Sequence, residues 1–280
     1  MREIILNHKP VFTFTELLLQ KTFQLMTQEI IILCIAAFAA GFIDSIVGGG
    51  GLVQTPATLI TLPQYPVATL LGTTKIPSLL GTTIAAVQYS FKVNICWKLL
   101  AVMCSIALVA AYAGSATVTM VSNAFMKPLF FVMLIVVFIY TYTKKNFGLA
   151  VEKNISPKRE FTWCIIIAML LGFYDGFIGP GTGSFLILFF ISIVGFDFLQ
   201  ASAHAKLVNV STNVGSILFF SRSGHILYQY AIPMAVCNFT GSIIGSRLAI
   251  LKGNKFIRIF FLLVITGTII RFGYDIFVKK

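Results

Sequence analysis

Long apolar runs separated by short polar connections occupy this chain from residue 29 to residue 278, five in each half. In the first half they cover 29–47, 51–62, 67–90, 95–120 and 125–143. In the second they cover 161–178, 183–196, 198–221, 226–250 and 256–278. Crossing a bilayer as a helix takes ~20 apolar residues, which most of these runs supply. The second run of each half is shorter, at 12 and 14 residues. Such a run suits a half-helix or re-entrant piece, a device typical of repeat-built transporters. The pattern predicts an all-α polytopic membrane protein with two duplicated halves and a short broken or re-entrant helix in each. Its expected divisions are an N-terminal tail (1–28), a first membrane repeat (29–143), a cytoplasmic linker (144–160) and a second repeat (161–280).

The duplication is visible residue by residue. AGFIDSIVGGGGLVQTPA (40–57) returns as LGFYDGFIGPGTGSFLIL (171–188). Gly41 and Gly172, Asp44 and Asp175, Gly48 and Gly179, and Gly50 and Gly181 are each 131 positions apart. The same spacing carries Lys75 onto Lys206, Gly114 onto Gly245 and Ser115 onto Ser246. A period this long marks a doubled domain, since solenoid repeats are far shorter.

Composition agrees with the pattern: 58% of residues are hydrophobic and 11% charged, where a soluble domain carries about 25% charged residues. The net charge of +12 does not point to nucleic acid, because the bases sit in the connections between apolar runs, as cytoplasmic loops require. The join 144–160 holds five bases and two acids and is the best cytoplasmic candidate. Two topologies place it there. Ten crossings with inverted halves put 11 bases inside and eight outside; eight crossings with parallel halves put 14 inside and five outside. Raw count favours the second. The first explains why 121–127 has one base while its counterpart 247–258 has four, and inversion is preferred, with both topologies left open.

Five cysteines without a CxxC pair and three scattered histidines give no disulfide framework, no metal site and no cofactor motif. The mixed segment 1–28 reads as an interfacial helix or a loose tail. The small residues of CIAAFAAG (34–41) resemble a signal-peptidase site, but they align with Cys164–Gly172, so retention is expected. GSIIGS (241–246) and AAYAGS (110–115) are small-residue patterns for close helix packing.

Candidate chemistry gathers around the repeated motif. Lys75 and Lys206 lie near the middle of apolar or hydroxylic helices. A lysine at that depth costs roughly 2.5–3.5 kcal/mol on insertion scales, so it faces protein or a wet cavity. One reading pairs the lysines with Asp44 and Asp175 in structural ion pairs; the sharper one has them face an anion, with the two acids positioning helices or coupling protons. Where the glycine turns meet a new helix, free N–H groups and the dipole suit an anion. That nominates Gly49, Gly50 and Gly51, and Gly181, Thr182, Gly183 and Ser184; a plain surface turn is the alternative. Ser78 and Thr82 share a helix face with Lys75, and Asn209 and Asn213 share one with Lys206. Thr74 is adjacent. His204 either carries a proton in a coupled cycle or bonds a neighbour, and Arg247 is an interfacial anchor. No Gly-Lys-Ser/Thr follows the glycines, which excludes a phosphate-binding P-loop, and no nucleophile–base pair supports an enzyme.

GFIDSIVGGGGL, GFYDGFIGPGTGSF, TTK and AHAKLVNVSTN together resemble the TauE/SafE (sulfite exporter, TSUP) family, in particular its YfcA-like bacterial inner-membrane members. The resemblance covers nearly all of 29–278; Pro56 of the first motif is replaced by Ile187 in the second. It implies a permease for small inorganic or organosulfur anions such as sulfite, sulfoacetate or other organosulfonates, in a multi-pass protein of the bacterial inner membrane. The expected function is a secondary transporter, as an exporter, with the anion bound between the two repeats and protons as a candidate coupling ion. A passive anion channel is the alternative and a scaffold a third reading. A homo-oligomer is left open.

Overall fold

The computed structural model describes residues 14–122 and 156–277, and all of the described regular structure is helical. The expected segment 125–143, most of the 144–160 linker and both chain ends lie outside the described residues. The helices are α1 (Phe14–Val47), α2 (Gly51–Thr61), α3 (Val67–Ser90), α4 (Trp97–Met120), α5 (Pro157–Phe177), α6 (Thr182–Phe189, continued by a π-turn, Phe190–Val194), α7 (Phe198–Arg222) and α8 (Tyr228–Phe277). α1 starts inside the expected tail, and its long apolar stretch begins at Leu25. α8 is broken at Gly253, where φ is +70°, between the two runs expected at 226–250 and 256–278.

Five described stretches are long and apolar enough to span a bilayer: Leu25–Val47, Val67–Ser90, Trp97–Met120, Lys158–Phe177 and Tyr228–Gly253. Their outer faces carry Ile32, Ile35, Val109, Leu170, Ile232 and Val236 exposed, as lipid contact requires. α7 matches them in length but is too polar to join them. Its Lys206, Asn209, Thr212 and Asn213 are buried, so its polar face points to protein rather than lipid.

Each short helix folds back along its predecessor. Leu62, at the end of α2, packs with Leu33 and Ala37 of α1, and Phe189 and Phe190 pack in the same cluster as Cys164 and Ala168 of α5. The results are two helical hairpins, α1–α2 and α5–α6. A left-handed glycine opens each tip: Gly48 has φ +77° and Gly179 φ +90°, a region open to glycine at little cost.

The other helices fix the hairpins' orientation. Val67, Ala68 and Leu71 at the start of α3 pack on Phe220 at the end of α7. Ala85 and Tyr89 near the end of α3 share a cluster with Phe198 and Ala201 at the start of α7. α3 and α7 therefore run antiparallel. Small residues let α8 lie close along α1, with Gly41 against Asn238 and Gly245 against Phe42. The positions 131 residues away make the corresponding contacts between α5 and α4: Gly172 against Ala107 and Gly114 against Phe173. Small residues are what permit such approach in a membrane bundle.

The two hairpins differ in how they are seated. On α1–α2, Asn238 Nδ2 donates to Gln54 Oε1 at 2.9 Å, Gln54 Nε2 to the Thr74 carbonyl at 3.2 Å and Ser242 Oγ to the Gly41 carbonyl at 3.1 Å. Phe185, Ala107 and Ala111 stand at the positions equivalent to Gln54, Asn238 and Ser242, so α5–α6 lacks this polar clamp.

Candidate functional site

The hairpin tips meet in the interior. The Ser184 N–H donates to the Gly48 carbonyl at 3.1 Å, and Ser184 Oγ to the Val47 carbonyl at 3.0 Å. Gly183 permits this contact: a Cβ there would lie 2.6 Å from the Gly48 oxygen and 2.8 Å from its Cα. Within the second tip, Tyr174 Oη donates to the Pro180 carbonyl and Thr182 Oγ1 to the Gly179 carbonyl, both at 2.7 Å.

Each mid-helix lysine reaches the hairpin of the other half. Lys75 Nζ donates to the Asp175 carbonyl at 2.7 Å and to Asp175 Oδ2 at 2.9 Å. Lys206 Nζ donates to the Asp44 carbonyl and to Asp44 Oδ2, the latter at 2.7 Å. Asp44 and Asp175 sit in the last turn of α1 and α5, where the dipole favours a cation; the Asp44 carbonyl also accepts from the Gly48 N–H at 2.8 Å. The lysines thus cap the two helices as well as neutralising the carboxylates. Of the two readings left open by the sequence, this geometry is the ion pair, formed between halves.

The pairs are not equivalent. Both Asp44 oxygens are engaged, since Oδ1 accepts from the Gly50 N–H at 3.2 Å. Asp175 Oδ1 has no donor among the described residues. The Lys206 side chain has no exposed surface, whereas those of Lys75 and Asp175 retain 8% and 9%.

A cavity lies between the tips, α3 and α7, with about 50 Å³ open to the centres of water-sized molecules. Of the residues nominated from sequence, Lys75, Thr74, Ser78, Gly51, Gly181, Thr182, Gly183, Asn209 and Asn213 line it, with Asp44 and Asp175. Gly49, Gly50, Ser184, Lys206 and His204 do not. Gly49 and Gly50 form the turn behind it, and the hydrogen-bonding groups of Ser184 are used up in joining the tips. His204 lies elsewhere: its Nδ1 bonds the Gln200 carbonyl at 2.8 Å, its Nε2 accepts from the Cys96 N–H at 3.4 Å, and Phe190 and Phe196 flank the ring. This is the hydrogen-bonding alternative for His204.

Thr55 and Pro180 also line the cavity and were not nominated from sequence. Thr55 had a usable signal, being four residues after Gly51 and so on the same face of α2.

Several lining groups have unused hydrogen-bonding capacity. Thr55, Ser78, Thr82 and Asn213 side chains have no partner among the described residues, nor do the N–H groups of Gly51 and Gly183. Asn209 is 7% exposed and its Oδ1 is buried without a partner. A buried polar group left unpaired is costly, so Asn209 Oδ1, with the polar side chains that line the same cavity, marks a place for a polar guest. Among the described residues no group of His, Cys, Asp and Glu is arranged to hold a metal.

The family profile described as "Sulfite exporter TauE/SafE" matches residues 33–272, including both hairpins and both lysines. The chain belongs to the TauE/SafE family. It is similar to "Probable membrane transporter protein ORF9" of Sinorhizobium sp, with 36% identity covering 87% of this chain and 92% of the relative. It is 32% identical to "Probable membrane transporter protein YfcA" of Escherichia coli (strain K12), covering 81% and 83% respectively. A "Probable membrane transporter protein" of Haemophilus influenzae is 33% identical, covering 81% and 88%. No solved structure gives a significant match. Membership agrees with the five apolar spans: the protein is a multi-pass membrane protein of a transporter family.

Proposed function

We propose that this protein is a secondary transporter of small oxyanions, such as sulfite or a short organosulfonate, in the bacterial inner membrane, with export as its direction. The carrying observation is the polar cavity between the two hairpin tips, which joins the Lys75 ammonium to unpaired N–H, amide and hydroxyl groups. At ~10–15 Å³ per water centre, about 50 Å³ holds roughly three to five waters. An oxyanion of four heavy atoms is of that size. A longer organosulfonate requires the tips to part.

The opposite running of α3 and α7, with the paired contacts of α1–α8 and α5–α4, supports reading the halves as inverted repeats. Two such units rocking about a central site are the usual basis of alternating access. The ion pairs and hydrogen bonds that join the tips favour this over an open channel. Export then follows the anion's own gradient.

The test is sulfite flux through proteoliposomes containing the purified chain. Flux should saturate, and Lys75→Ala should reduce it at least tenfold while the protein remains folded. Unitary currents from the purified protein would indicate a channel; full flux in Lys75→Ala would remove the anion site from this cavity.

A further inference from the structure

Two equivalent ion pairs occupy different environments, and the difference assigns them different roles. We propose that Asp175 takes up one proton for each anion the cavity holds, releasing Lys75 towards the anion, while Asp44 stays ionised. The inference rests on the transport reading above.

At rest Lys75 and Asp175 neutralise each other, as do Lys206 and Asp44. Asp44 and Asp175 both line the cavity, and Lys75 does too, but Lys206 is sealed behind its partner. A monoanion entering alone therefore leaves a net negative charge beside two carboxylates with little water to screen it, which is unfavourable. A proton on one carboxylate restores neutrality.

Hydrogen bonding selects which carboxylate. Asp44 has both oxygens occupied by donors, Gly50 N–H on Oδ1 and Lys206 on Oδ2, which leaves neither oxygen open to a proton. Asp175 has one oxygen without a donor. Lys75 also keeps its bond to the Asp175 carbonyl, so it stays anchored when the carboxyl is neutral. An ammonium has three donors and a protonated carboxyl gains one; both can then turn to the anion. The remaining titratable groups on the cavity or beside Asp175 are Asp44 on α1 and Tyr174 on α5, while Lys206 on α7 is sealed behind Asp44. α2 and α6 line the cavity without any such group, and the nearby contact from α4 is Ser115, which donates to the Gly176 carbonyl at 3.2 Å. The second hairpin, which carries Asp175, is also the one without the Gln54–Asn238 clamp.

The proton enters from water on the side the anion enters, sits on the Asp175 carboxyl, and leaves to water on the other side; Lys75 remains an ammonium throughout. A monoanion moved with one proton carries no net charge, so the membrane potential neither drives nor opposes its exit.

The experiment uses the full chain in proteoliposomes with methanesulfonate, a monoanion at every pH tested, and a trapped pH dye. One proton per anion makes the half-saturating concentration rise about tenfold per pH unit over the alkaline part of the profile, with one proton arriving per methanesulfonate. Asp175→Asn should remove the slope and the proton movement, and His204→Gln, away from the cavity, should keep both. Methanesulfonate flux that is independent of pH and free of protons overturns the inference while leaving transport standing, as does a slope that survives Asp175→Asn. If Asp175→Asn does not fold, the proton count on the unmodified chain decides alone. Absence of flux with both sulfite and methanesulfonate fails the transport reading, and this inference with it.

Discussion

Replacing Lys206 with methionine separates a cap from a ligand. The substitution keeps the length and apolar body of the side chain and removes the charge from a residue with no exposed surface. Asp44 then loses its ion-pair partner while still bonded to the Gly50 N–H. Breaking one side of a buried pair costs about 3–5 kcal/mol; with 19% of the Asp44 side chain exposed, the lower end applies, about 3 kcal/mol. For soluble domains of comparable size that corresponds to a melting shift of roughly 2–4 °C per kcal/mol, hence roughly 6–12 °C. The measurement is thermal unfolding of the purified protein in detergent, followed by tryptophan fluorescence. Lys206→Met combined with Asp44→Asn removes both charges and should regain at least half of the loss, a coupling that a double-mutant cycle isolates. An unchanged melting temperature in Lys206→Met, together with abolished flux, would show that Lys206 holds the anion and does not serve as the cap of α1. A double variant as unstable as the sum of the singles would refute the pairing itself.

Two further outcomes follow from the tip and from α7. Gly183→Ala places a methyl against the Gly48 backbone, whose two nearest atoms cannot swing aside; overpacking of this kind costs about 1–3 kcal/mol, and both melting temperature and sulfite flux should fall, whereas Gly224→Ala, in open space but at φ +73°, should lower the melting temperature through backbone strain and keep its flux. His204→Gln removes the imidazole from a site away from the cavity and should keep sulfite flux within about threefold with an unchanged pH profile, measured in the same vesicles; an altered profile would return His204 to the proton path.

The amino-acid pattern by itself determined the membrane class, the long helices, the two short ones after the glycine turns, and the residues that carry charge at depth. These are local properties: hydropathy over ~20 residues, a backbone that only glycine adopts readily at Gly48 and Gly179, and the cost of a lysine in lipid. Helical periodicity also placed Ser78 with Lys75 and Asn209 with Lys206 on common faces, and all but Lys206 of these line the cavity. Periodicity says which residues share a face but not what that face meets. Only the tertiary structure decided that each lysine reaches the opposite half, across 100 residues for Lys75 and 162 for Lys206. Packing likewise sealed Lys206 while leaving Lys75 at the cavity, turned Ser184 into a joint between tips, and drew Thr55 and Pro180 into the lining. The repeat made the two pairs equivalent in sequence; folding made them different, bringing the Gly50 N–H to Asp44 Oδ1 and no donor among the described residues to Asp175 Oδ1.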